Sequence, residues 1–216
     1  GTTLRERGNF DGAIHEFREA IRCNPDEAAA HFNLGASLFI RGDIVAALEA
    51  WTAAATLAPN LVDAHFNIGS AHEQLGKPRD ARAAYRRCAT LDANHAEAHF
   101  RIGSISYHLQ EFDEAISSLD RALALNPKQA ESHFMRAQCL FRKVEIEAAI
   151  AGYRRAVELD ANHFQALTNL TVILGLQKKF PEAIRFGRRA VDSEPSNAGA
   201  YALLGKICRD AGDIGS

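Results

Sequence analysis

Six alanines, Ala13, Ala47, Ala81, Ala115, Ala149 and Ala183, stand 34 residues apart along the 216-residue chain, with no insertion between them. A fixed period of this length marks a supersecondary unit that cannot bury its apolar face alone and must stack on its copies. With the histidines His31, His65, His99 and His133 set at position 4, complete units start at Ala28, Val62, Ala96, Ala130 and Phe164, and the alanine column is position 20. Position 27 reads Ala20, Ala54, Cys88, Ala122, Ala156 and Ala190. Position 8 reads Gly1, Gly35, Gly69, Gly103, Ala137, Thr171 and Gly205, and position 32 is Pro25, Pro59, Ala93, Pro127, Ala161 and Pro195.

Each unit holds two apolar-periodic runs of about 14 residues, split by short polar segments such as "RGD", "LGKPRD" and "LQEFD". The spacing predicts two amphipathic helices, A and B, joined by a tight turn. Small residues at positions 8, 20 and 27 let the backbones approach, and the large residues at position 24, Phe17, Trp51, Tyr85, Leu119 and Tyr153, fill the adjoining space. The proline at position 32 stops helix B because it lacks the N–H that would continue the ladder.

These columns resemble the tetratricopeptide repeat, with its large residue at 4, Gly or Ala at 8, Ala at 20 and 27, an aromatic at 24 and Pro at 32. The resemblance implies an all-α, right-handed superhelical solenoid of antiparallel helix pairs, whose A helices line a concave, partner-binding groove. One array over residues 1–216 is expected: a partial repeat at 1–27, complete repeats at 28–61, 62–95, 96–129, 130–163 and 164–197, and a partial repeat at 198–216. Three residues depart from the family pattern: Arg136 at the apolar position 7, Thr171 at position 8 and Gly187 at position 24.

The histidine column invites a metal or catalytic reading, but equivalent residues on stacked helices lie too far apart to share an ion bound at about 2.1 Å. They read as packing residues at the core edge. With about 100° between successive residues of a helix, positions 2, 5, 6, 9, 12 and 13 turn away from the core. Position 5 then sets Phe32, Phe66, Phe100 and Phe134 along the groove, position 12 adds Phe39, Tyr107 and Phe141, and position 13 adds Ile40. An apolar row of this kind marks an interaction site. Asn33, Asn67, Arg101 and Asn169 at position 6 interleave with it; asparagines can hold a peptide backbone, while Arg101 and Arg142 offer positive points to an acidic segment. The family's clamp for acidic chaperone tails is absent, because Phe32, Ala36 and Glu97 stand where it needs Lys, Asn and Lys. On the B helices, the doublets Arg86–Arg87, Arg154–Arg155 and Arg188–Arg189 read as a solvated charged face.

Neither catalytic residues nor a metal or other cofactor is expected. The net charge of −2, from 27 acidic and 25 basic residues, gives no reason to expect nucleic acid. No apolar run reaches the roughly 18–20 residues of a membrane span, so no membrane insertion is expected. Cys23, Cys88, Cys139 and Cys208 lack metal-ligand spacing and read as free, buried thiols in a reducing, cytoplasmic setting. The sequon at Asn169 falls within a helical pattern and reads as accidental. The expected function is a non-catalytic scaffold that binds a peptide or protein segment in the groove. Two alternatives stand beside it: a substrate-docking arm of a larger enzyme such as a glycosyltransferase, and self-association through the uncapped last helix, where Leu203, Leu204, Ile207 and Cys208 would face solvent.

Overall fold

In the computed structural model, which describes residue 2 and residues 9–212, the described chain is helical and, among those residues, contains no strand. The position-8 residue Gly1 and the chain's last four residues lie outside the described residues. The helices are α1 (Phe10–Cys23), α2 (Ala28–Arg41), α3 (Ile44–Leu57), α4 (Val62–Gln74), α5 (Pro78–Leu91), α6 (Ala96–His108), α7 (Phe112–Leu125), α8 (Ala130–Arg142), α9 (Ile146–Leu159), α10 (Phe164–Leu176), α11 (Phe180–Ser193) and α12 (Ala198–Gly212). The chain falls into two compact units that divide between Ile105 and Ser106, inside α6. In each, A and B helices alternate and pack on their chain neighbours, giving a helical-repeat solenoid fold.

The helix pairs close on their smallest residues. All six position-20 alanines are fully buried, and the large position-24 residues Trp51, Tyr85, Leu119 and Tyr153 are at most 2% exposed. In the first unit, a Cβ built on Gly35 would lie 2.6 Å from the Trp51 ring, and one on Gly69 would lie 2.7 Å from the Tyr85 ring. The aromatic at position 24 thus occupies the volume that a position-8 side chain would need. In the second unit the fifth repeat reverses the arrangement. Thr171 fills position 8 and is buried, while a Cβ on Gly187 at position 24 would stand 3.2 Å from its methyl. The two departures from the family pattern compensate one another. The aromatic has moved one residue back, to the buried Phe186 at position 23. Arg136, the third departure, leaves the core and pairs through Nε with Asp120 at 2.5 Å.

Among the described residues, the A helices that lead into a B helix end the same way. Residue 15 of the unit takes a left-handed conformation, at Gly42, Gly76, Gln110, Val144 and Lys178, with φ between 58° and 96°. The following N–H then reaches back to the carbonyl five residues earlier, as Asp43 does to Leu38 and Glu145 to Leu140, both at 2.9 Å. Only two of the five are glycines, and Val144 is β-branched, the residue class for which φ near 65° is least favourable.

The histidine column has a structural task beyond packing. His31, His65, His99 and His133 each place Nε2 2.8–3.2 Å from the carbonyl oxygen of residue 32 of the preceding unit, namely Pro25, Pro59, Ala93 and Pro127. A carbonyl only accepts, so Nε2 carries the hydrogen. Each histidine ties the loop that leaves a B helix to the A helix that follows it.

The last helix is less bare than the sequence implies. Ile207 of α12 is buried, its Cδ1 2.3 Å from where a Cβ on Gly175 would be, and Leu204 lies against Gly187. Leu203 and Leu204 are half-buried; Cys208 is exposed, as expected. Burial pushes the pKa of the Cys88 and Cys139 thiols up to about 11, which keeps them protonated and inert, whereas Cys23, at the end of α1, and Cys208, on α12, are exposed rather than buried.

Two stability changes follow. Gly69→Ala should cost about 1–3 kcal/mol in denaturant melts, because the new methyl meets the Tyr85 ring. Val144→Asn should instead stabilise the chain by about 1 kcal/mol, since Asn tolerates the left-handed region and the 76% exposed valine gives up no packing.

Candidate functional site

The A-helix residues singled out by position do not share one fate. In the first unit, Phe32 and Phe39 are half-buried against the core that includes Trp51; the Phe39 and Trp51 rings lie 5.3 Å apart, and the indole N–H donates to the Phe32 carbonyl at 3.1 Å. Ile40, next to Phe39, is 57% exposed. Asn33 donates through Nδ2 to the carbonyl of Ala29 at 2.9 Å. Asn67 is half-buried beside Phe66, whose ring lies 5.2 Å from Tyr85 and stacks at 4.8 Å on His95.

Around Arg101 the first unit builds a charged cluster. The Tyr85 hydroxyl donates to Glu73 at 2.5 Å, and burial followed by that hydrogen bond pushes the phenol's pKa up, so it remains a donor. Arg101 donates through Nε to Glu97 at 2.8 Å, lies 3.8 Å from Glu73, and sets its guanidinium 5.9 Å from the half-buried Phe100 ring. Burial alone would lower the guanidinium's pKa, but Glu97 and Glu73 outweigh it and raise it. Two carboxylates on one guanidinium leave the cluster with a net negative charge. The expectation that Arg101 offers an open positive point to an acidic ligand therefore fails here: its charge is already held. Glu73, which the position analysis did not single out, is the reason.

In the second unit, Tyr107 is half-buried and its hydroxyl donates to Gln138 Oε1 at 2.7 Å. Phe134 is only 4% exposed, held between Tyr153 at 5.8 Å and His163 at 4.6 Å, so it does not stand on the surface as expected. The cause is the loop residue at position 34. His163, like His95 in the first unit, folds its ring over the position-5 phenylalanine, and the full cover comes from tertiary packing rather than from the helix's own periodicity. Phe141 is 37% exposed, and Arg142 is exposed with its guanidinium 5.3 Å above the Phe112 ring. Two apolar residues of α10 that the sequence did not single out, Val172 and Leu176, are 36% and 78% exposed. They occupy positions 9 and 13, so the same rotation rule could have found them. The Tyr153 phenol's pKa is raised by burial, and its hydroxyl hydrogen-bonds Asn169, so that position-6 amide is engaged within the fold.

The arrangement offers non-covalent contacts: apolar side chains at positions 9, 12 and 13, hydroxyls and amides already in local hydrogen bonds, and one compensated charge cluster. Among the described residues, no three His, Cys, Asp or Glu side chains come together as a metal site requires.

Comparison with solved structures gives the same fold. YrrB, described as a tetratricopeptide-repeat protein with an unusual peptide-binding site, aligns with a TM-score of 0.75 at 20% identity, covering 89% of this chain and 97% of that one. A MamA structure aligns with a TM-score of 0.72 at 24% identity over 77% of this chain and 97% of that one. PilF of Pseudomonas aeruginosa aligns with a TM-score of 0.72 at 19% identity over 87% of this chain and 88% of that one. No curated protein sequence matches the chain. The tetratricopeptide-repeat family model matches residues 1–62, 66–130 and 109–164, and with the helix pairs and buried small-residue columns described above, the chain belongs to the tetratricopeptide-repeat family.

Proposed function

We propose that the chain is a non-catalytic interaction scaffold that binds an extended or helical segment of a partner protein along its A-helix face. The observation that carries this reading is where the exposed apolar side chains fall. Of the eight large apolar side chains exposed among the described residues, Ile40, Phe141, Val172 and Leu176 lie at positions 9, 12 and 13 of their A helices, on the side that the core does not use, while Val45, Leu57, Val144 and Tyr201 lie elsewhere. Single exposed apolar residues need no explanation, but three of them on two consecutive A helices of the second unit, Phe141, Val172 and Leu176, do. Of the phenylalanine row, the half-buried Phe32, Phe39, Phe66 and Phe100 can still offer ring edges to a ligand, whereas Phe134 acts as internal support. Asn67 is the position-6 amide best placed to meet a peptide backbone. Membership of a family of interaction repeats and the fold shared with YrrB, a tetratricopeptide-repeat protein with a peptide-binding site, both support the reading. Among the described residues, no helix is long and apolar enough to cross a membrane. The free thiols fit a reducing compartment, and the cytoplasm is the proposed setting.

Selecting peptides from a displayed random library on the immobilised chain tests this. Peptides that bind the parent should lose at least about tenfold in affinity to a Phe141→Ser, Val172→Ser, Leu176→Ser variant of equal helicity, since each buried anchor contributes about 1–2 kcal/mol. Unchanged affinity for all selected peptides would place recognition elsewhere.

A further inference from the structure

The second unit carries a different kind of surface on its B helices. A cavity of about 500 Å³ lies between α9 and α11, with Val157 and Phe186 as its floor and Arg154, Arg185 and Arg189 around its rim. Val157 is 4% exposed and Phe186 5%, so the floor is apolar and well packed. Phe186 is there because of the fifth repeat's reversal. At position 23 the other units carry Glu16, Ala50, Ala84, Ser118 and Gly152, and only this one carries an aromatic there. The guanidiniums of Arg185 and Arg189 lie 5.2 and 5.8 Å from that ring. Stacking of this kind orients a planar guanidinium while leaving its N–H edge free.

The rim has more donors than the fold uses. Arg154 contacts Glu182 at 2.6 Å, Arg185 shares the same carboxylate oxygen at 3.5 Å, and Arg189 donates to the Ala161 carbonyl at 3.1 Å. Each guanidinium has five N–H groups, so these contacts leave most of them without a protein acceptor. Glu158, the other acid of the rim, is engaged by Arg155 at 2.9 Å. Among the lining residues three guanidiniums face two carboxylates, a local excess of one positive charge on a chain whose net charge is −2. A second cavity, of about 460 Å³, shares Arg154 and Glu158 and adds Glu147, Ile150 and Lys179, so the groove continues along α9.

We propose that this α9–α11 groove is a second docking surface, for an acidic segment of a partner protein in which carboxylates alternate with apolar side chains. The carboxylates meet the guanidinium N–H groups, and the apolar side chains lie along the aliphatic stems of Arg154, Arg185 and Arg189 above the buried Val157 and Phe186. Glu158 and Glu182 stand inside the groove and would repel an unbroken line of phosphates, which favours an acidic peptide over nucleic acid. The surface is separate from the A-helix face and does not depend on the proposal made for it.

Fluorescence anisotropy with a labelled peptide alternating glutamate and leucine tests this, alongside its glutamine counterpart and a single-stranded oligothymidylate. The acidic peptide should bind, weaken as salt rises, and lose about tenfold or more with Arg185→Ala, Arg189→Ala, because a charge-assisted hydrogen bond contributes about 1.5–3 kcal/mol. A control of equal charge, Arg79→Ala, Arg87→Ala in the first unit, should change affinity less than about twofold, as should the serine variant of the A-helix face. Should the alanine pair melt early, Arg185→Lys, Arg189→Lys keeps the charge, loses the planar fork, and should still weaken binding. No binding of the acidic peptide, equal loss in both alanine pairs, binding of the glutamine peptide as tight as that of the acidic one, or oligothymidylate binding as tight as that of the peptide would overturn the proposal.

Discussion

The structure depends on how closely the A and B helices of a unit approach one another. That distance is set at one crossing, where a small residue at position 8 receives the face of a large residue at position 24, and where the fully buried position-20 alanines leave no spare volume. Close packing makes the crossing intolerant of added atoms, because the neighbours on both sides are ring atoms and backbone rather than mobile side-chain ends. Everything outward of it is free to vary. In α2, α4, α6 and α8 the position-4 histidine and the left-handed residue at position 15 then fix how the chain enters and leaves the A helix, through hydrogen bonds at its two ends.

The columns at 8, 20, 24, 27 and 32 can be read directly because each is enforced by sterics within a unit, and sterics leave the same residue type at the same spacing. The compensation between Thr171 and Gly187 escaped that reading, since each looks like a defect when its column is judged alone. Position 15 escaped it for another reason. The backbone there needs positive φ, yet Gln110, Val144 and Lys178 carry no local turn signal, and the requirement is met by the helices on either side.

Candidate binding residues were harder still. Helical rotation turns positions 9, 12 and 13 away from the core, and Phe141 and Leu176 are exposed there, whereas Phe39 and Tyr107 at position 12 are half-buried. It cannot foresee a cover supplied from the next loop, which is how His163 buries Phe134. Nor can it foresee which acid a long side chain will find. Arg101 reads as a free charge until Glu73, contributed by the previous A helix, is placed 3.8 Å from it. Position gives direction, but charge balance and burial are decided by neighbours distant in sequence.

The reversed fifth repeat bears on how such an array could be recombined. Repeats with glycine at 8 and an aromatic at 24 share one mould and could be exchanged with little loss, whereas Thr171, Phe186 and Gly187 form a matched set spanning both helices of their repeat. Leu204 also rests on Gly187, so the match extends into the helix that follows. A hybrid joining α10 to a B helix with an aromatic at 24 would drive a ring into Thr171, and one joining α11 to an A helix with glycine at 8 would leave a void. The fifth repeat is therefore inherited as a block with its successor, which makes it a fixed landmark in an otherwise modular chain.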